Sequence, residues 1–157
     1  ILLRLDANGG GTRRQALDVL TNTDTGRVAL VEEPTSDPSD WQEINRETGI
    51  GIGADEQLTD QAQIDRLTDL GAAQTFVLKP SILGGPTATR RIASQAAQND
   101  IDIIISSFLD GPMALRSARD LALELAPHEI HGLGTAPLFV EDLPSDVQPV
   151  NGYLQRL

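Results

Sequence analysis

The chain has 157 residues, a usual length for one domain, and 39% of them are apolar, enough to build a core. It contains no cysteine, which excludes a disulfide framework and a thiolate zinc site. The net charge of −11 argues against nucleic acid as a partner, because phosphate contacts need clusters of Lys and Arg.

Most of the acids are Asp (15 of 23), scattered through predicted helices and loops, and they read as a solvated surface of the kind a salty cytoplasm favours. No stretch approaches the ~20 apolar residues of a membrane span, and no signal peptide opens the chain, so a cytoplasmic protein without a membrane partner is expected. The chain starts at Ile1-Leu2-Leu3, without a methionine and already inside a strand-like run. The expectation is the C-terminal part of a longer protein, or the second ordered segment of a broken chain.

In chain order, strands are predicted at Ile1–Asp6, Val28–Glu33, Ile50–Asp55, Thr75–Lys79 and Ile101–Ser106, with a short final one at His131–Thr135. All but the last are short, rich in Ile, Leu and Val, and bounded by Gly, Pro, Asp or Asn. Helical patterns lie between them at Arg13–Asn22, Ser39–Thr48, Asp60–Leu70, Thr87–Gln98 and Pro112–Leu125. Ser39 reads as the N-cap of the second helix, and Pro127 ends the last.

Alternation at about 25 residues predicts βαβ units with right-handed crossovers and a parallel sheet. Gly9-Gly10-Gly11 lacks the Gly-Lys-Ser/Thr ending of a phosphate loop and reads as a strand-to-helix turn. Six units are too few for a closed eight-unit barrel, so about two are expected upstream.

In parallel α/β folds, chemistry collects at the C-terminal ends of strands. Those ends carry Asp6, Glu32-Glu33, Asp55-Glu56, Lys79, Ser106-Ser107 and Gly132-Leu133-Gly134-Thr135. From Asp6 to Glu32 is 26 residues, from there to Asp55 is 23, and from there to Lys79 is 24. Any one acid alone reads as an ordinary loop acid or helix cap. Three in phase with the βα unit read as a cation site, and few carboxylates with room for water favour Mg²⁺, or Mn²⁺ as a substitute.

Lys79 is the one lysine beside eleven arginines. Arg stays protonated, whereas a partly desolvated Lys can exchange a proton or sit as a compact cation beside a reacting centre. Residues two apart share a strand face, so Arg4, Asp6 and Asn8 are expected to project together, with Leu3 and Leu5 toward the helices. Arg4 reads equally as a ligand for an anionic substrate or as a salt-bridge partner of a nearby acid.

Arg4-Leu5-Asp6-Ala7-Asn8, Val31-Glu32-Glu33-Pro34, Gly53-Ala54-Asp55-Glu56-Gln57-Leu58 and Val77-Leu78-Lys79-Pro80 together resemble the metal-and-lysine core of the enolase superfamily, muconate-lactonizing subgroup. Three later segments resemble the o-succinylbenzoate synthase branch: Lys79–Pro86, Ile105–Asp110 and His131–Phe139. The resemblance implies an α/β fold, a partial TIM-like barrel of the superfamily's modified (β/α)7β type. About six βα units would fall within residues 1–157, and the upstream strands and capping domain outside them.

It further implies that Asp6, Glu32 and Asp55 are Mg²⁺ ligands, that Glu33 and Glu56 point elsewhere or support the site, and that Lys79 is the catalytic lysine present here. Ser106 and the backbone of Gly132 would contact the substrate, a small-molecule carboxylate, with Arg4 and Asn8 near the site. A Lys-x-Lys on the preceding strand has no counterpart in this sequence, so the segment alone is expected to be inactive. The implied reaction is the syn dehydration of a cyclohexadiene carboxylate to o-succinylbenzoate, a step of menaquinone biosynthesis. The alternatives are an N-acylamino acid racemase or dipeptide epimerase of the same subgroup, or a non-catalytic acidic scaffold. Dipeptide epimerases carry Asp-x-Asp where this chain has Gly132-Leu133-Gly134. The sequence leaves the oligomeric state open.

Overall fold

Short runs of Ile, Leu and Val set off by Gly, Pro and Asp become strands, and the stretches between them become helices, in a computed structural model that describes residues 2–140 and 142–154. The strands are β1 (Leu3–Asp6), β2 (Val28–Glu32), β3 (Gly51–Ala54), β4 (Thr75–Leu78) and β5 (Asp102–Ile105). The helices are α1 (Arg13–Thr21), α2 (Trp41–Thr48), α3 (Gln61–Leu70), α4 (Pro86–Gln98) and α5 (Pro112–Leu125). The sheet runs in chain order, β1-β2-β3-β4-β5, and the first three pairings are parallel. Parallel neighbours cannot be joined by a tight hairpin, and each crossover here is made by a helix.

The chain divides into two compact units, Ile1–Phe76 with Gln98–Asp102, and Val77–Ala97 with Ile103–Leu157. In the first, α1 begins with a capping box. Thr12 Oγ1 accepts the Gln15 N–H and Gln15 Oε1 accepts the Thr12 N–H, which stabilises the helix start by about 1 kcal/mol. The glycine triplet before it is the turn the sequence predicts, with Gly10 N–H donating to Ala7 O.

Ser39 is not the cap of α2. A 3-10 turn at Pro38–Asp40 precedes that helix, and Asp37 caps the turn by accepting the Ser39 N–H at 3.0 Å. An Asp followed by Pro caps from two residues before position 39 and takes up the amide of Ser39 itself.

The core of this unit includes Ile44, Ile52, Ile64, Leu67 and Phe76, all at most 1% exposed, and Trp41 at 0%. The Trp41 indole N–H donates to Thr35 O at 3.0 Å, so its one polar atom is satisfied. β1 pairs with β2 alone and leaves Leu3 43% exposed, as the edge of the described sheet.

In the second unit, Val77, Leu78 and Ile103–Ile105 are buried, together with Ile92, Ala93 and Ala96 of α4 and Leu115, Ala118 and Leu121 of α5. The strand predicted at His131–Thr135 is a single parallel bridge, Ser106 with Gly132. Gly132 N–H donates to Ile105 O and Gly132 O accepts the Ser107 N–H, and no longer ladder follows. The Gly-Leu-Gly run has little intrinsic strand preference, and the His131 ring takes the Ile105 N–H in place of a backbone carbonyl.

Beyond the bridge, Val147 packs on Leu115 and Ala136, with half-buried Leu143 against them. Arg116 grips Asp146 through Nε at 2.6 Å and Nη2 at 3.0 Å. Among the described residues no helix is long and apolar enough to cross a membrane.

Candidate active site

The register of the first unit aligns its acids. Asp6 is the Cα partner of Glu32, and Glu32 is the partner of Gly53. Register partners on parallel strands face the same way, and Asp55 lies two residues beyond Gly53, on the same parity.

Gly53 is the residue the arrangement needs. A Cβ there would stand 3.0 Å from Glu32 Cγ and 3.2 Å from Leu30 Cδ2. The missing side chain lets Glu32 lie across β3. Asp55 is buried, Glu32 half-buried and Asp6 exposed.

The expected convergence of all three carboxylates is not found. Among the described residues no three His, Cys, Asp or Glu side chains are gathered so as to hold a metal ion. Asp6 Oδ1 instead accepts the Asn8 N–H at 2.8 Å. Like charges on three neighbouring strand ends repel and come together only around a cation. The donor set itself, carboxylate oxygens on one face beside a cradle kept clear by Gly53, fits a hard divalent ion.

Asn8 departs from the predicted face. Its φ of 47° takes it out of the strand after Asp6, so Arg4 and Asp6 share a face by parity while Asn8 belongs to the turn. Short polar residues tolerate this left-handed backbone better than others do.

Glu33, expected to point elsewhere or to support the site, turns inward. It is 1% exposed with φ 44°. Its Oε1 accepts the Asp55 N–H at 2.8 Å and the Gln57 N–H at 3.1 Å. Its own N–H donates to Gly53 O at 3.1 Å, and its O accepts the Gly9 N–H at 2.8 Å. Burial pushes the carboxyl up from 4.5 to about 7. The two amide bonds oppose that rise, and the nearby charges of Glu56 and Asp55 add to it. The signal in the sequence was the acid doublet ahead of Pro34, a pattern that does not say which acid turns inward.

In the second unit, Lys79 follows β4 and is half-buried, and its carbonyl accepts the Ile82 and Leu83 N–H groups at 3.0 Å each. Ser81 Oγ donates to Asp110 Oδ2 at 3.3 Å, and Asp110 also accepts the Phe108 N–H at 3.0 Å. Buried Asp110 thus ties the loop after β4 to the loop after β5.

Ser106 and Gly132, both expected at the substrate, are bridge partners, and the Gly132 backbone is hydrogen-bonded within the protein. Its N–H is used by Ile105 O, and its O accepts from Ser107 N, Ser107 Oγ and Ser106 Oγ. What Gly132 contributes is space: a Cβ would lie 2.7 Å from Ser106 Oγ. His131 fixes the approach, its Nδ1 accepting the Ile105 N–H at 3.1 Å while Nε2 lies 2.9 Å from Ala126 O. The acceptor role of Nδ1 puts the ring proton on Nε2, so Ala126 O accepts it.

A family model described as enolase C-terminal domain-like matches residues 1–156. The chain belongs to that family. It is 36% identical over 155 residues to the o-succinylbenzoate synthase of Mycobacterium ulcerans (strain Agy99), covering 97% of this chain and 46% of that protein. It is 32% identical over 144 residues to the o-succinylbenzoate synthase of Vibrio cholerae serotype O1 (strain M66-2), covering 88% and 43%.

Among solved structures, MenC from Desulfotalea psychrophila LSv54 superposes with a TM-score of 0.85 at 26% identity, over 97% of this chain and 44% of that one. A dipeptide epimerase from Enterococcus faecalis V583 superposes with a TM-score of 0.83 at 22% identity, over 92% and 42%, which is a likeness of fold. The chain spans a little under half the length of the curated relatives it matches. Its fold is that family's TIM-barrel-like α/β architecture, in part.

Proposed function

We propose that the complete protein is a Mg²⁺-dependent lyase of the enolase superfamily that dehydrates 2-succinyl-6-hydroxy-2,4-cyclohexadiene-1-carboxylate to o-succinylbenzoate. Identity of 31–36% to proteins named o-succinylbenzoate synthase supports the reaction class. The observation that carries the site reading is the in-register pairing of Asp6 with Glu32 beside a glycine that Glu32 must cross.

In this reading Asp6, Glu32 and Asp55 hold the ion, with Mn²⁺ as a substitute. The bound ion supplies Lewis-acid stabilisation of charge on the substrate carboxylate, worth several kcal/mol. Lys79 keeps its proton and sets a compact cation against the ring, where negative charge develops as the proton α to the carboxylate leaves. Ser106 offers a hydroxyl to the succinyl side, and the bare Cα of Gly132 leaves that side room. Arg4 and Asn8 are assigned to the approach of the anionic substrate. Because Lys79 keeps its proton, the base would be a lysine of the Lys-x-Lys expected in the complete protein; it would take the α proton from carbon and return it to the departing hydroxide, which leaves as water.

Replacing Lys79 by Arg in the full-length protein tests the reading. Arg retains the charge, so dehydration should fall but survive with saturating Mg²⁺. Racemisation of N-acylamino acids needs proton exchange at Lys79 and should drop by about 10²–10⁴ on the same preparation. Dehydration absent from the unsubstituted enzyme, with racemisation intact, would replace this reading with the racemase one.

A further inference from the structure

We infer that Glu33 is a positioning residue that holds the loops after β1, β2 and β3 in one arrangement, and so sets the affinity of the site for its divalent ion. The inference rests on the reading of Asp6, Glu32 and Asp55 as ligands.

Four hydrogen bonds carry it. Glu33 O accepts from Gly9 in the loop after β1, and Glu33 N–H reaches Gly53 O of β3. A single oxygen, Oε1, accepts from both Asp55 and Gln57 in the loop after β3. Asp55 therefore lies on a segment that Glu33 touches, Glu32 is its neighbour in sequence, and Asp6 ends the strand whose following loop Glu33 holds.

The backbone geometry points the same way. Alternation along β2 would send residue 33 to the face opposite Glu32, but a φ of 44° turns it toward the loop after β3. A non-glycine residue held there is strained and persists only where its surroundings over-determine it. A surface cap would not need a buried carboxylate: Glu33 is 1% exposed, and removing its Oε1 would leave two amides of the ligand-bearing loop unsatisfied.

Reach, not charge, is what the geometry requires, and two substitutions separate them. Glu33→Gln keeps an oxygen at the same distance and drops the charge. Glu33→Asp keeps the charge but shortens the reach by one methylene, and Asp tolerates the left-handed backbone, so that torsion is not what the substitution tests.

In the full-length protein, Mn²⁺ alone is titrated and followed through the resonance of the free ion, with Asp55→Asn as a control. Glu33→Gln should bind within about threefold of the parent, while Glu33→Asp should bind about 10–100-fold more weakly, the usual cost of disturbing groups that orient metal ligands. If Asp55→Asn weakens binding and Glu33→Asp does not, the inference is overturned and the site reading stands. If Glu33→Gln weakens binding more than Glu33→Asp, charge is what matters and the inference also falls. Binding by Asp55→Asn equal to the parent would remove the site reading, and this inference with it.

Discussion

Glu32 crosses Gly53: the two are register partners on β2 and β3, and Glu32 Cγ lies 3.0 Å from where a Cβ on residue 53 would sit. Such a distance is below ordinary contact, and Leu30 Cδ2 at 3.2 Å crowds the same position. Gly53→Ala should therefore cost about 1–3 kcal/mol of overpacking and displace the Glu32 carboxylate. Thermal unfolding and Mn²⁺ titration of the full-length variant check the two effects, and unchanged Mn²⁺ affinity would show that Glu32 does not depend on the cradle.

Glu33 should give stability a pH slope of unusual sign. Its carboxyl is raised from 4.5 to about 7 in the folded chain, so the fold favours the protonated form. That contribution is fully present below pH 4.5 and is lost as pH rises to about 7, a loss of roughly 3 kcal/mol for the full shift. Denaturant unfolding of the metal-free protein between pH 5 and 8, compared with Glu33→Gln, isolates it. The variant should lack this fall, and identical profiles would refute it.

Asp146 should do the opposite. The Arg116 fork holds its carboxyl below the usual Asp value, so the bond contributes above that value and is lost as pH falls through the depressed one. Arg119 Nη1 also donates to Asp146 O at 3.2 Å, placing Ser145–Val147 against α5. Asp146→Asn should speed hydrogen exchange at the Val147 amide, which donates to Pro144 O, and remove the acid dependence of that protection.

Gly132 and Ser106 should be energetically coupled. A Cβ on residue 132 would lie 2.7 Å from Ser106 Oγ but 3.3 Å from its Cβ. Gly132→Ala alone should destabilise the protein more than the same change made with Ser106→Ala. A double-mutant cycle by thermal unfolding measures the difference, expected in the range of about 0.5–3 kcal/mol for touching groups. Additive effects would mean the backbone relaxes and the pair is independent.

The strand–helix order was legible because short Ile, Leu and Val runs and helical periods recur at the βα spacing, and predicted β4, Thr75–Lys79, differs from the observed Thr75–Leu78 by one residue. The in-phase acids were legible for the same reason. The sixth strand was overread, because a polar and glycine pattern at a strand's expected place does not reveal that a histidine ring and hydroxyl groups will take over the ladder.

Ser39 misled because an Asp-Pro turn one step earlier captures the amide. Asn8 and Glu33 could not be placed by alternation, since each has a left-handed φ that ends the two-residue period. Glu32 keeps the face set by the β2 register, and the torsion after it turns Glu33 to the loop after β3.

The lone tryptophan gives the first unit a built-in optical probe. Trp41 is fully enclosed and its indole is bonded to Thr35 O, two residues beyond Glu33. Its emission should be blue-shifted in the native state and move to the red when the segment after β2 opens, and the second unit carries no indole to obscure it. Within this chain, loosening around Glu33 can thus be followed by intrinsic fluorescence, without a label.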